Sequence, residues 1–236
     1  MISILMPIYN GIEFIHESVP SILEQTYDKW ELLIGINGHP ENSEIYKIAK
    51  RFEEKSNKIR VFEFSNIKGK SNTLNEMIKY CNYDYVALLD VDDIWHPQKL
   101  ELQSVLLNSY DVIGSNCIWF GDIPGIVPSI PQHDFSNFNF ANVNPIINSS
   151  VIIRKELCSW IENGIEDYDL WIRLRLKNKR FYNFPQVLVK HRIHTTSAFN
   201  SGGKNNNMVP DLLKSYGLTR EENKTIEQIR YKHLTP

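Results

Sequence analysis

Apolar residues fall along the chain in two alternating rhythms. Short unbroken runs, ISILMP, WELLIGI, IRVFEF and YVALL, have the length and character of buried strands. Between them, GIEFIHESVPSILEQ repeats apolar positions (Ile12, Ile15, Val19, Ile22, Leu23) at helical spacing, and ENSEIYKIAKRFEEK and SNTLNEMIKY also read as helices, the latter opened by Ser or Asn as cap. Pro20 is expected to kink or loosen the first helix. Strands separated by helices imply parallel pairing through right-handed crossovers, so the pattern predicts an α/β fold.

After YVALL the rhythm loosens. Pro97 suits the first turn of a helix PQKLELQSVLLNS, and DVIGSNCIWF reads as a strand. From Gly121 to Asn144 there is no period of either kind, only Pro, Asn, Phe and Gly, which predicts a long irregular loop. INSSVIIRK then reads as a strand, IEDYDLWIRLRLKN as a helix and RFYNFPQVLVKHRIH as strand, turn, strand. Residues 200–207 read as a flexible polar link, and residues 208–236 as a tail of two short helices.

Composition narrows the classes. The 236 residues suffice for one large or two small domains, with an ordinary globular balance of 42% hydrophobic and 23% charged residues. A formal net charge of −2 supplies no general pull toward nucleic acid or anionic lipid. Cys81, Cys117 and Cys158 are odd in number and widely spaced, which argues against a disulfide framework or structural zinc and for a reducing compartment. No stretch reads as a leader or reaches membrane-spanning length, so a cytoplasmic protein is expected, at most a peripheral visitor to a membrane.

The chemistry concentrates at YVALLDVDDIWHP. Asp90, Asp92 and Asp93 follow the apolar strand directly, at the carboxyl end where open α/β sheets place their ligand crevice. A helix cap accounts for one or two acids there. Three carboxylates in four residues raise one another's pKa unless a cation neutralises them, and hard oxygen ligands point to Mg²⁺ or Mn²⁺ carrying a diphosphate.

These segments, taken in order, resemble the family 2 glycosyltransferases of GT-A fold. SILMPIYNG is similar to that family's opening strand and turn, SVPSILEQTYDKWELLIGING to its first helix and second strand, and LLDVDD to its metal-binding acids. EDYDLWIRL resembles the acid pair opening the acceptor-side helix, and HRIHTTS the closing Arg-x-His segment. The resemblance runs from residue 2 to about residue 199. It implies one GT-A domain over residues 1–199, with a nucleotide-binding half to about residue 95 and an acceptor half beyond it, built on a mostly parallel central sheet flanked by helices. It also implies inverting, Mn²⁺- or Mg²⁺-assisted transfer of a sugar from a nucleoside diphosphate, UDP being the expected nucleotide, to a saccharide, lipid-linked or protein acceptor.

Residue by residue, the match makes Asp167 the general base, with Glu166 and Asp169 beside it. Asp92 is the first metal ligand, and Asp90 and Asp93 share the roles of second ligand, water ligand and ribose or sugar contact; His194 completes the metal site, while His191 has no such support. Arg192 pairs either with phosphate or with an acid. Pro7 and Tyr9 in the opening turn, and Asn37 after the second strand, belong to the nucleotide. Asn37 stands where relatives commonly carry an acid that reads uracil; an amide can still pair with uracil or can signal another base. Lys68 or Lys70 supplies a basic residue near Leu74. Phe135, Phe138 and Phe140 either line a groove or pin the loop to the core, and Ser149 and Ser150 either meet an acceptor hydroxyl or finish a strand edge. Two other functions fit less of the chain: a haloacid-dehalogenase-like phosphatase with Asp90 as nucleophile, and a non-catalytic relative retained as a binding module.

Overall fold

The computed structural model describes residues 1–194 and 204–220. Its first strands are β1 (Ile2–Ile8), β2 (Trp30–Asn37), β3 (Ile59–Phe64) and β4 (Tyr85–Leu88), all parallel, in the spatial order β3-β2-β1-β4. Alternation along β1 sends Ile2, Ile4, Met6 and Ile8 into one core and Leu5 into the other, as Leu32, Ile34 and Ile36 are divided from Leu33 on β2. Both faces are dry, which is why these strands read as unbroken apolar runs.

Helix α1 (Ile15–Leu23) follows a turn of 3-10 helix and runs through Pro20, burying Ile15, Val19 and Ile22 on one face of the sheet. Helix α2 (Glu44–Lys50), capped by the Ser43 hydroxyl, adds Ala49 to that face. Helix α3 (Lys70–Met77) covers the opposite face through Leu74 and Met77. It lies so close that a Cβ on Gly35 would stand 2.5 Å from the Met77 sulfur.

Beyond β4 the acidic turn leads into β5 (Ile94–Trp95), a two-residue strand absent from the predicted elements. Helix α4 spans Lys99–Ser104, shorter than predicted and starting two residues past Pro97, with the Leu100 N–H capped by Gln25 of the α1 exit. Strand β6 is Val112–Gly121, β7 is His133–Asp134 and β8 is Ile152–Arg154, the last inserted antiparallel between β4 and β6. Helix α5 is Glu166–Leu176. The predicted strand, turn, strand is one 13-residue strand, β9 (Phe181–Ile193), parallel to β6. The register slips opposite Ser115 to Cys117, and this bulge accommodates Pro185, whose carbonyl accepts from the Asn116 amide. One sheet of nine strands therefore runs through both halves of the chain.

Helix α6 (Lys204–Ser215) takes up residues 204–207, which the sequence assigned to a link; the remainder of that link, and the second tail helix, lie outside the described residues. An Asn-rich run containing Pro210 is a poor helix former, with proline alone costing about 3 kcal/mol. Val209, Leu212 and Leu213 are buried against the core, at roughly 1.5–3 kcal/mol each, so docking outweighs propensity.

Candidate active site

Strand order reverses at β1, which has β2 on one side and β4 on the other, and a crevice opens beyond the carboxyl ends at such a point. There lies a cleft of about 780 Å³, lined at one end by Pro7, Tyr9, Asn37 and Gly38 and further along by Lys70, Asp90, Asp92, Asp167 and His194. Tyr9 is 55% exposed and stacks on His39 with ring centroids 5.1 Å apart, while the His39 ring meets the Tyr9 carbonyl at 2.6 Å. Gly38, at φ +70°, lets the chain turn beneath that ring; a Cβ there would sit 3.2 Å from it.

The acidic turn divides its three carboxylates. Asp90 accepts from Lys70 Nζ at 2.5 Å and from Asn148 Nδ2 at 3.0 Å, and its backbone N–H donates to Ser149 Oγ. Asp92 Oδ2 lies 3.0 Å from His194 Nε2 on the cleft wall. Asp93 does not line the cleft: it is fully buried, with Oδ2 3.1 Å from His191 Nδ1 and Oδ1 accepting the Arg192 N–H at 2.8 Å. Arg192 braces the turn, donating from Nε to the Asp92 carbonyl and pairing with Glu17 at 2.8 Å. Its guanidinium is held between the rings of Phe14 and Phe120.

At the start of α5, Asp167 Oδ2 accepts from Asn144 Nδ2 at 3.0 Å and Oδ1 from the Tyr168 N–H at 2.7 Å. Glu166 lies 3.9 Å from Lys70, so that one lysine spans the two groups of acids. Asp169 is buried beneath, held by Arg173 at 2.7 Å and by the Tyr216 hydroxyl at 2.8 Å. The Tyr168 hydroxyl donates to the Phe140 carbonyl, fastening the irregular loop to the helix.

Burial works against the charge of Lys70, but the carboxylates of Asp90, Glu166 and Asp167 outweigh it and raise its pKa. Asp90 is likewise opposed by burial, yet Lys70 and the Asn148 amide hold it below the ordinary carboxylate range. Asp92 is pushed up by burial and by Asp93 and Asp90. Asp167 is also pushed up, by burial first, against the Asn144 and Tyr168 hydrogen bonds that favour its charge. His191 rises to about 9 because Asp93 overcomes its burial.

Asp92 and His194 offer a hard oxygen and an imidazole nitrogen to the same opening. That donor pair fits Mn²⁺ or Mg²⁺ with its remaining positions given to water and phosphate oxygens. Among the described residues, no three His, Cys, Asp or Glu side chains form a cation site of protein ligands alone.

The sequence pattern of Glycosyl transferase family 2 matches residues 3–201. The chain belongs to that family. The glycosyltransferase is 29% identical over 210 residues to the O-antigen biosynthesis glycosyltransferase WbnJ of Escherichia coli, spanning 84% of this chain and 81% of that one. Its fold is GT-A. TarS of S. aureus in complex with UDP-GlcNAc superposes with a TM-score of 0.71 at 15% identity, covering 99% of this chain and 71% of TarS. The mannosyltransferase PcManGT from Pyrobaculum calidifontis, in complex with GDP-Man and Mn²⁺, does so at 0.69 and 15% identity, over 99% and 70% of the chains. Membership in a transferase family whose named relatives are glycosyltransferases does not favour the phosphatase and binding-module readings.

In this glycosyltransferase the cleft gathers Pro7, Tyr9, Asn37, Lys70, Asp90, Asp92, Asp167 and His194; of the six acids chosen from the sequence, Asp93 and Asp169 do not line it. Lys68 lines the cleft as well, but Lys70 is the lysine that reaches both acid groups. Phe135 and Phe140 are buried and pack with Phe181, so they pin the loop. Ser149 and Ser150 are buried acceptors for the Asp90 and Ser115 N–H groups. Asn144 and Asn148 are site residues to which sequence reasoning gave no role, and His191, which it weighed and left without support, pairs with Asp93. Asn144 did carry a signal, since the residue before a proline is confined to extended backbone. Among the described residues no helix is long and apolar enough to cross a membrane.

Proposed function

We propose that this glycosyltransferase is an inverting enzyme that moves a sugar from a nucleoside diphosphate, with UDP as the nucleotide, to an acceptor hydroxyl. The observation that carries the reading is the placement of Asp92 and Asp167 on one cleft of about 780 Å³, of the size a nucleotide sugar fills. Tyr9 and Asn37 receive the base, Asn37 pairing through an amide that both donates and accepts. Residues to about 95 serve chiefly the donor and residues from 96 to 199 chiefly the acceptor. Asp92 and His194 hold Mn²⁺ or Mg²⁺, which when bound neutralises charge on the departing diphosphate. Asp93 is removed from the ligand set, because it is fully buried off the cleft wall with its oxygens taken by His191 and the Arg192 N–H. Lys70 adds positive charge beside the diphosphate. Asp167 takes the acceptor proton as the hydroxyl oxygen attacks the anomeric carbon and the bond to phosphate breaks. Its raised pKa favours that proton transfer.

The test is thermal unfolding with UDP-, GDP- and dTDP-sugars, each with and without Mn²⁺. A ligand at 100 times its Kd stabilises by about 2.7 kcal/mol. The expected result is stabilisation by a UDP-sugar that requires Mn²⁺ and is weakened in Asp92→Asn by roughly 10–100-fold in affinity. Stabilisation by GDP-sugars alone would replace the nucleotide, and a UDP response indifferent to both Mn²⁺ and Asp92 would remove the metal site.

A further inference from the structure

The loop from Gly121 to Asn144 has little regular structure, yet its last residues are fixed tightly. The Tyr168 hydroxyl donates to the Phe140 carbonyl, Asn139 accepts the Ala141 N–H through its side chain, and Asn183 donates to the Pro145 carbonyl at 2.8 Å. Asn144 stands between buried Val143 and Pro145, and the proline restricts its backbone to extended conformations. Its amide turns Nδ2 toward Asp167 Oδ2 at 3.0 Å, since a carboxylate there needs a donor, and leaves Oδ1 3.5 Å from the Ile146 N–H. Each Asp167 oxygen thus holds one protein hydrogen bond and keeps a second acceptor direction.

We propose that Asn144 is a positioning residue for the transfer, its amide holding the Asp167 carboxylate in the orientation the base requires and tying that base to the loop on the acceptor side. The inference rests on the reading of Asp167 as the base. Other charges act on the same carboxyl. Lys70, from the start of α3, favours its ionised form, and Asp90, from the end of β4, opposes it. Glu166 is its neighbour on α5, and Asp92, His191 and His194 line the same cleft. Among the protein groups that favour the charged form of Asp167, the Asn144 amide is the strongest. Because that amide belongs to the loop and not to α5, a shift of the loop by an acceptor would change both the aim and the proton affinity of the base.

The experiment follows Asp167 directly, by carboxyl ¹³C NMR titration of aspartate-labelled, metal-free protein, with the signal assigned by its loss in Asp167→Asn. The second readout is the pH profile of Mn²⁺-dependent hydrolysis of the UDP-sugar that best stabilises the protein. Asn144→Ala should raise the Asp167 midpoint and the acid limb together by roughly 0.5–1 pH unit, the value of one lost neutral hydrogen bond, with donor KM unchanged. Asn144→Asp, which preserves volume and guards against collapse of the loop, should raise both further by setting a second carboxyl against the first. A purely structural role would lower the profile without moving its limb. Unmoved midpoint and limb in both variants, with Asp167→Asn inactive, overturn this inference alone. Hydrolysis retained in Asp167→Asn overturns the base assignment and this inference with it.

Discussion

Two segments of this transferase each place three acids within four residues, Asp90, Asp92 and Asp93 after β4 and Glu166, Asp167 and Asp169 opening α5. Each divides them in the same way. One acid is buried in a structural pair: Asp93 with His191, Asp169 with Arg173 and Tyr216. One meets Lys70: Asp90 at 2.5 Å, Glu166 at 3.9 Å. These line the cleft, as does the third acid of each, Asp92 and Asp167. The difference lies in the partner of that third acid. Asp92 has an imidazole 3.0 Å away, a second donor for a cation, whereas Asp167 has a neutral amide at the same distance. The amide turns its Nδ2 to the carboxylate and so has no lone pair to offer a cation there, so similar sequence patterns are given different surroundings.

The comparison breaks most sharply at Asp167. Asp167→Asn is expected to lower sugar transfer by about 10³-fold, within the usual range for a general base, while donor affinity measured by calorimetry changes less than about threefold. Equal loss of donor binding would make the second triplet a donor site like the first.

Asp93→Ala tests the buried member of the first triplet. It should cost about 3 kcal/mol in denaturant unfolding, at the low end for a buried pair because His191 is one-fifth exposed. It also carries a pH signature. The His191 pKa is raised to about 9 from a free value near 6.5, so the stability it adds is complete below pH 6.5 and is lost as pH rises through 9. Without divalent ions, the wild type should lose about 2 kcal/mol relative to Asp93→Ala between pH 6 and pH 9.5. Parallel pH curves would deny the pair its role.

The smallest effect is expected in the second triplet. Tyr216→Phe removes one hydrogen bond to Asp169 and should cost about 1 kcal/mol in unfolding, leaving donor affinity intact. A larger loss, with transfer reduced, would show that α6 supports α5 more closely than one contact implies.

Much of the first half of the chain was legible because its information is local. Unbroken apolar runs imply strands buried on both faces, the order of strands and helices implies parallel pairing, and a carboxyl-end acid turn then falls at the crevice without further knowledge of contacts. The second half of the chain was read less well. The 13-residue β9 looked interrupted at Pro185, because only pairing with β6 reveals a bulge that tolerates it. Residues 204–207 looked like a link, because their helix owes its existence to a docked face and not to its own propensity.

Sequence alone determined the layered fold, the two acid triplets and their place in the family, since each follows from periodicity or from residues adjacent along the chain. Which acid of each triplet is buried in a structural pair, and which partner each of the others meets, was decided only by tertiary structure. Neighbouring carboxylates have nearly the same intrinsic chemistry; what separates them is burial and the partner brought up from far along the chain. His191 reaches Asp93 across 98 residues, His194 reaches Asp92 across 102 and Asn144 reaches Asp167 across 23.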